Sequence, residues 1–137
     1  MNLLLDLENV NTNNIFFTET RQNMMFEGFF TKILYCDEFF TMYGIYVNVS
    51  IQHTAPNTKP QISSSTLNAL LELETNILKA YVSAKKNTFP NITYKLADML
   101  KTKFQVGSLQ NEKTSCLKIS GIWENNQTNE VGLSFKF

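Results

Sequence analysis

The chain has little of what small catalytic and metal-binding proteins rely on. Its 137 residues include two cysteines and one histidine, so no set of four Cys and His ligands for a structural zinc ion can be assembled. Five scattered glycines form no phosphate-cradling loop, and no cofactor motif is present. Arginine is almost missing: Arg21 stands against eleven lysines, so forked base-reading side chains are not the dominant cations. No apolar run reaches membrane-spanning length. The start, Met-Asn-Leu-Leu-Leu-Asp-Leu-Glu, carries no basic residue and meets an acid at position 6, unlike a signal peptide. The expectation is an intracellular protein with no membrane partner. In that setting Cys36 and Cys116 read as buried thiols rather than a disulfide, and the sequons at Asn48, Asn91 and Asn126 as unused.

Catalytic groupings are missing as well. His53 lies in a proline-bounded loop with no partner in sequence. Glu72 and Glu74 are two residues apart in a helical stretch and so diverge, while Asp37-Glu38 reads as a turn. The chain is therefore read as a binding protein rather than an enzyme.

What is present is a core and an uneven charge. The hydrophobic fraction is 43%, with eleven phenylalanines, enough for one globular domain spanning residues 1–137. Net charge is zero, yet residues 1–56 hold two cations and six acids (−4) and residues 57–137 ten lysines and six acids (+4). Residues 75–104 carry Lys79, Lys85, Lys86, Lys95, Lys101 and Lys103 against Asp98 alone. Such a bias suits an anionic partner or two solvated helix faces. Lys85 and Lys86 also suit the negative end of a helix.

Apolar periodicity divides the chain in three. Leu3 to Leu7 and Ile15 to Thr18 read as short strands around a turn-forming run from Asn9 to Asn14. Phe29, Thr31, Ile33 and Tyr35 alternate with Phe30, Lys32, Leu34 and Cys36. Beyond the turn at Asp37-Glu38, Ile45, Val47, Val49 and Ile51 alternate with Tyr46, Asn48 and Ser50, with Gly44 as a bulge or bend. The triplet Phe-Phe-Thr at 16–18, 29–31 and 39–41 is spaced too unevenly for a repeat and fits strands with aromatic doublets. Pro56 and Pro60 mark a loop, and Ser63 to Ser65 offer helix caps. Leu67, Leu70, Leu71, Ile77, Leu78 and Tyr81 form a helical stripe interrupted by Glu74; beyond Pro90 a second helix is expected from about Ile92 to Phe104. After Thr114 the chain closes in a hairpin: Leu117 and Ile119 oppose Lys118 and Ser120, an Asn-rich turn occupies 125–130, and Leu133, Phe135 and Phe137 oppose Ser134 and Lys136. The fold class is α+β with a mainly antiparallel sheet. An oligonucleotide-binding (OB)-like barrel, with its helix between strands three and four, shares this order.

A binding module for single-stranded nucleic acid needs cations for phosphate and aromatic faces for bases. Tyr46 lies opposite an apolar row, Lys32, Lys118 and Lys136 lie on non-core faces, and Lys95, Lys101 and Lys103 line the outside of the second helix. Trp123 stands at the mouth of the closing turn, where it could meet ligand, but its parity matches Ile119 and points to the core. The segments Lys118-Ile119-Ser120-Gly121-Ile122-Trp123-Glu124 and Gly132-Leu133-Ser134-Phe135-Lys136-Phe137 resemble the closing segment of small single-stranded-DNA-binding proteins of large DNA viruses. The resemblance covers about twenty residues and implies a replication- or recombination-associated binder of single-stranded DNA or RNA. The rival reading is a protein–protein module, a virion or host-interaction protein. The doublets Phe16-Phe17, Phe29-Phe30 and Phe39-Phe40 load both strand faces, which favours a homodimer or higher homo-oligomer.

Overall fold

Two-residue alternation at both ends of the chain and helical periodicity between them are realised in a computed structural model, which describes residues 4–22, 28–53, 56–85, 91–110 and 113–137. Strand β1 (Leu4–Asp6) leads through two 3-10 turns, Leu7–Asn9 and Thr12–Asn14, to β2 (Ile15–Gln22). Strands β3 (Gly28–Cys36), β4 (Thr41–Tyr43) and β5 (Ile45–Ile51) follow, then a short β6 (Gln61–Ile62) and helix α1 (Ser64–Ala84). Strand β7 (Asn91–Thr93), helix α2 (Lys95–Lys103) and β8 (Gln105–Val106) precede the closing β9 (Lys113–Asn125) and β10 (Glu130–Lys136).

β9 is the spine of the sheet. On one side its first half pairs antiparallel with β5, from Ile45 opposite Ile119 to Ile51 opposite Lys113, and its second half pairs with β3, from Gly28 opposite Asn125 to Lys32 opposite Gly121. On the other side it pairs with β10. β2 and β4 extend β3 antiparallel, whereas β1 on β5 and β7 on β10 are parallel. Gly44 makes the split possible: at φ +92° it turns the chain from β4 into β5, and its Cα lies so near β9 that a Cβ would stand 2.9 Å from the Ile119 carbonyl oxygen. The pairings leave the sheet open, so the barrel expected from element order is not formed among the described residues. Strands β1, β2 and β7 each pair with one neighbour alone, so the sheet ends in edges that do not meet among the described residues.

Both helices cover one face. Ser63 caps α1 by accepting the Thr66 amide at 3.2 Å, as the serine run suggests. Leu70, Leu73, Ile77, Leu78 and Tyr81 of α1 and Leu96 and Leu100 of α2 pack on Ile33, Val47, Val49, Leu117, Ile119, Ile122, Val131 and Leu133. The alternation read at β3 and β5 holds for Thr31, Ile33 and Tyr35 and for the four apolar residues of β5, all buried, whereas Phe29, in the same β3 row, is exposed.

Three expectations are corrected. Ile92 belongs to β7, paired with Val131, so the second helix begins only at Lys95. The loop after His53 contains β6, which pairs with β8. The thiols are not a buried pair: Cys36 is half-buried and Cys116 exposed, both unbonded. Leu3, Lys86 and Pro90 lie outside the described residues.

Glu74, which interrupts the α1 stripe, is wholly buried and has a structural task. Its carboxylate accepts the Leu96 amide at 2.8 Å and the Ala97 amide at 3.0 Å, which caps α2 from another helix. Burial raises its pKa above 4.5; the two amide hydrogen bonds pull the other way, and the Asp98 charge adds to the rise.

Candidate nucleic-acid interface

The face of the sheet away from the helices is built by strand register. One row runs from Arg21 of β2 through Phe30 of β3 and Trp123 of β9 to Gly132 of β10. Another runs from Leu4 through Tyr46 and Lys118 to Lys136. A third joins Phe16, Leu34 and Tyr43, whose side chains at the ends are 53% and 71% exposed. Lys32, Lys118 and Lys136 are all exposed, as their non-core positions predict.

Trp123 reaches this face because of a bulge. Phe135 pairs with Ile119 but Ser134 with Gly121, so Ser120 is an extra residue in β9. The insertion reverses the parity of everything beyond it. Ile122 takes the core position, Glu124 turns toward α1, and Trp123 turns outward. The core reading drawn from the parity of Ile119 is thereby corrected.

Two glycines make room for flat-lying rings. A Cβ on Gly132 would stand 2.3 Å from the Trp123 ring, and one on Gly121 would stand 2.7 Å from the Phe30 ring. Each aromatic therefore lies across the neighbouring strand. Lys95, at the start of α2, reaches round the sheet edge and holds its ammonium 4.6 Å from the Trp123 ring centroid. Lys118 holds its ammonium 5.4 Å from the centre of Tyr46.

Phe30 is the shared wall of three adjoining depressions. The largest, about 500 Å³, runs past Lys95, Trp123, Asn125, Thr128 and Ser134, with Glu130 on its border. The second is lined by Thr18, Glu19, Arg21, Lys32 and Tyr43, and the third by Lys32, Tyr43, Lys118 and Ser120. Together they make a continuous track of rings and ammonium groups across the open sheet. Its cations are Arg21, Lys32, Lys95, Lys118 and Lys136, set against Asp6, Glu19 and Glu130, so five minus three leaves +2. Glu130 is held by the Thr93 hydroxyl, which donates at 3.0 Å.

Not every expected residue joins. Lys103 lines a separate depression with Phe104, Phe135 and Phe137, and Lys101 is exposed elsewhere on α2. The physical reason is that α2 packs Leu96 and Leu100 against the covered face, so only its first residue reaches the open one. Lys136 borders both places. Lys85 is committed to the fold: burial opposes its charge, but bonds to Tyr81 and Glu124, the latter at 3.1 Å, hold its pKa above 10.5. Phe30, Tyr43 and Arg21 line the track without being expected there. Phe30 could have been found from its parity with Lys32; Arg21 lies beyond a second bulge, between Phe17 and Thr20, that alternation does not reveal.

Among the described residues no group of three or more His, Cys, Asp or Glu could hold a metal ion, and no helix is long and apolar enough to cross a membrane. No protein-family model matches the chain, and no curated protein or solved structure proves similar to it.

Proposed function

We propose that the open sheet face binds single-stranded nucleic acid with little sequence preference, in a replication- or recombination-associated role. The observation that carries this reading is the continuity of the track: Trp123, Phe30 and Tyr43 alternate along it with Lys95, Lys32 and Lys118. Flat rings offer stacking surfaces worth roughly 1–3 kcal/mol per base, and ammonium groups between them suit phosphates. A surplus of only +2 makes the interaction weak and sensitive to salt. Lys95 covers the outer side of Trp123, so a base stacking there displaces its ammonium toward the neighbouring phosphate. Each phosphate neutralised contributes a log–log salt slope of roughly −0.7 on a single strand.

Gel filtration with labelled oligo(dT) at low and at physiological salt tests the proposal. Co-elution at low salt, lost at higher salt and lost in the Lys32→Glu/Lys118→Glu variant, supports it. Both side chains are exposed, so the double variant keeps its fold. The exposed row of Phe16, Leu34 and Tyr43 favours the second reading, a protein-binding face. No co-elution at any salt leaves that reading in front.

A further inference from the structure

We propose that one copy of this chain docks the tip of its β3–β4 hairpin into the groove beneath the end of β10 of a second copy. Phe39, at the tip, is 88% exposed, more than any other large apolar side chain described. It is not displayed by slack backbone. The Asp37 carboxylate accepts the Phe39 amide at 2.7 Å and the Phe40 amide at 3.0 Å, and the Asp37 amide donates to the Phe40 carbonyl at 3.0 Å. Phe40 in turn stacks on Tyr35, with centroids 6.2 Å apart. The tip is thus a preorganised aromatic knob flanked by the exposed acids Asp37 and Glu38.

The groove has the complementary character. Met99, Phe104, Phe135 and Phe137 line a depression of about 490 Å³, with Lys103 and Lys136 on its border. The Phe104 and Phe137 rings meet at 5.8 Å and leave Phe137 39% exposed. An apolar floor with two lysines at the rim fits an aromatic side chain with two neighbouring acids. The two surfaces do not meet within one protomer: β9 stands between β3 and β10, and none of residues 37–40 lines the groove. The opposed charges of residues 1–56 and 57–137, −4 and +4, draw copies together in the same sense. A second copy is the occupant because both halves of the fit are present on every chain.

Sedimentation velocity of the full chain over a concentration series, without nucleic acid, tests this independently of the function proposed above. The wild type should show a mass that rises with concentration. Phe39→Ala, whose exposed ring contributes little to the fold, should weaken association at least about tenfold with an unchanged thermal midpoint. Glu38→Lys and Lys103→Glu should each weaken it, and the two together should restore it. A wild type that stays monomeric throughout overturns the proposal, as does association that Phe39→Ala leaves unchanged. A double variant no better than the single ones contradicts the charge-paired geometry.

Discussion

A buried carboxylate and an outward-facing indole decide most of what can be said of single residues. Glu74 sits in the stripe that should be apolar, and its two amide bonds explain why it is tolerated there. Glu74→Ala should cost roughly 1–3 kcal/mol, because the Leu96 and Ala97 amides lose their acceptor in a buried place. Urea denaturation measures that loss. Its pKa is raised in the folded chain, so the folded state keeps a proton that the unfolded chain has already released. Its contribution is therefore fully present below about pH 4.5 and is lost as pH rises through the folded value. Wild-type stability should fall relative to Glu74→Gln across that window; a flat difference contradicts the assignment. At Trp123 the obstacle to a side chain on Gly132 is a ring that can swing away. Gly132→Ala should therefore shift the tryptophan emission while altering stability by less than about 1 kcal/mol. The ion pair of Lys85 and Glu124 is of smaller weight: its lysine is 35% exposed, and screening holds such pairs to roughly 0.2–1 kcal/mol.

Elements show where sequence reading succeeds and where it stops. Alternation of Ile45, Val47, Val49 and Ile51 with polar residues specifies β5 without ambiguity, since every second side chain must enter the core. The α1 stripe and its serine cap are equally legible, and so is the outward placement of Lys32, Lys118 and Lys136. Ser120 is not. A bulge is a single extra residue with no compositional mark, yet it decides whether Ile122 or Trp123 is buried. The open sheet is likewise hidden, because which strands pair across it and which stay at its edges is a long-range choice that local periodicity cannot carry. Lys95 joining the site while Lys101 and Lys103 do not depends on where α2 starts, and Ile92 reads as helical until its pairing with Val131 is seen. The bulge makes its own prediction. A Cβ on Gly121 would stand 2.3 Å from the Thr31 carbonyl oxygen, an atom of the backbone that cannot swing aside. Gly121→Ala should destabilise by about 1–3 kcal/mol, well beyond Gly132→Ala. Equal midpoints in urea for the two variants would contradict this account of the closing hairpin.

At the scale of the whole molecule, the arrangement is a sheet covered on one face and open on the other. The covered face holds buried apolar residues of α1, α2, β3, β5, β9 and β10, and stability is set there by burial worth roughly 1.5–3 kcal/mol for each large side chain. The open face holds Phe30, Trp123, Tyr43 and Tyr46 among cations, the groups on which the proposed stacking and phosphate contacts rest. Substitutions on the two faces should separate cleanly. Lys32→Glu/Lys118→Glu should lower oligonucleotide affinity and leave the unfolding midpoint near that of the wild type, whereas Leu117→Ala should cost roughly 2–5 kcal/mol. Trp123 is the single tryptophan of the chain and lies on the track itself, so its emission reports directly on whether that face is occupied. The decisive measurement is a fluorescence titration of the wild type with oligo(dT) at low salt, repeated at physiological salt. The account predicts saturable quenching, with an affinity that falls as salt rises and that drops further in the Lys32→Glu/Lys118→Glu variant. Emission unchanged by oligo(dT) at low salt, or quenching that neither salt nor the double variant affects, would contradict it.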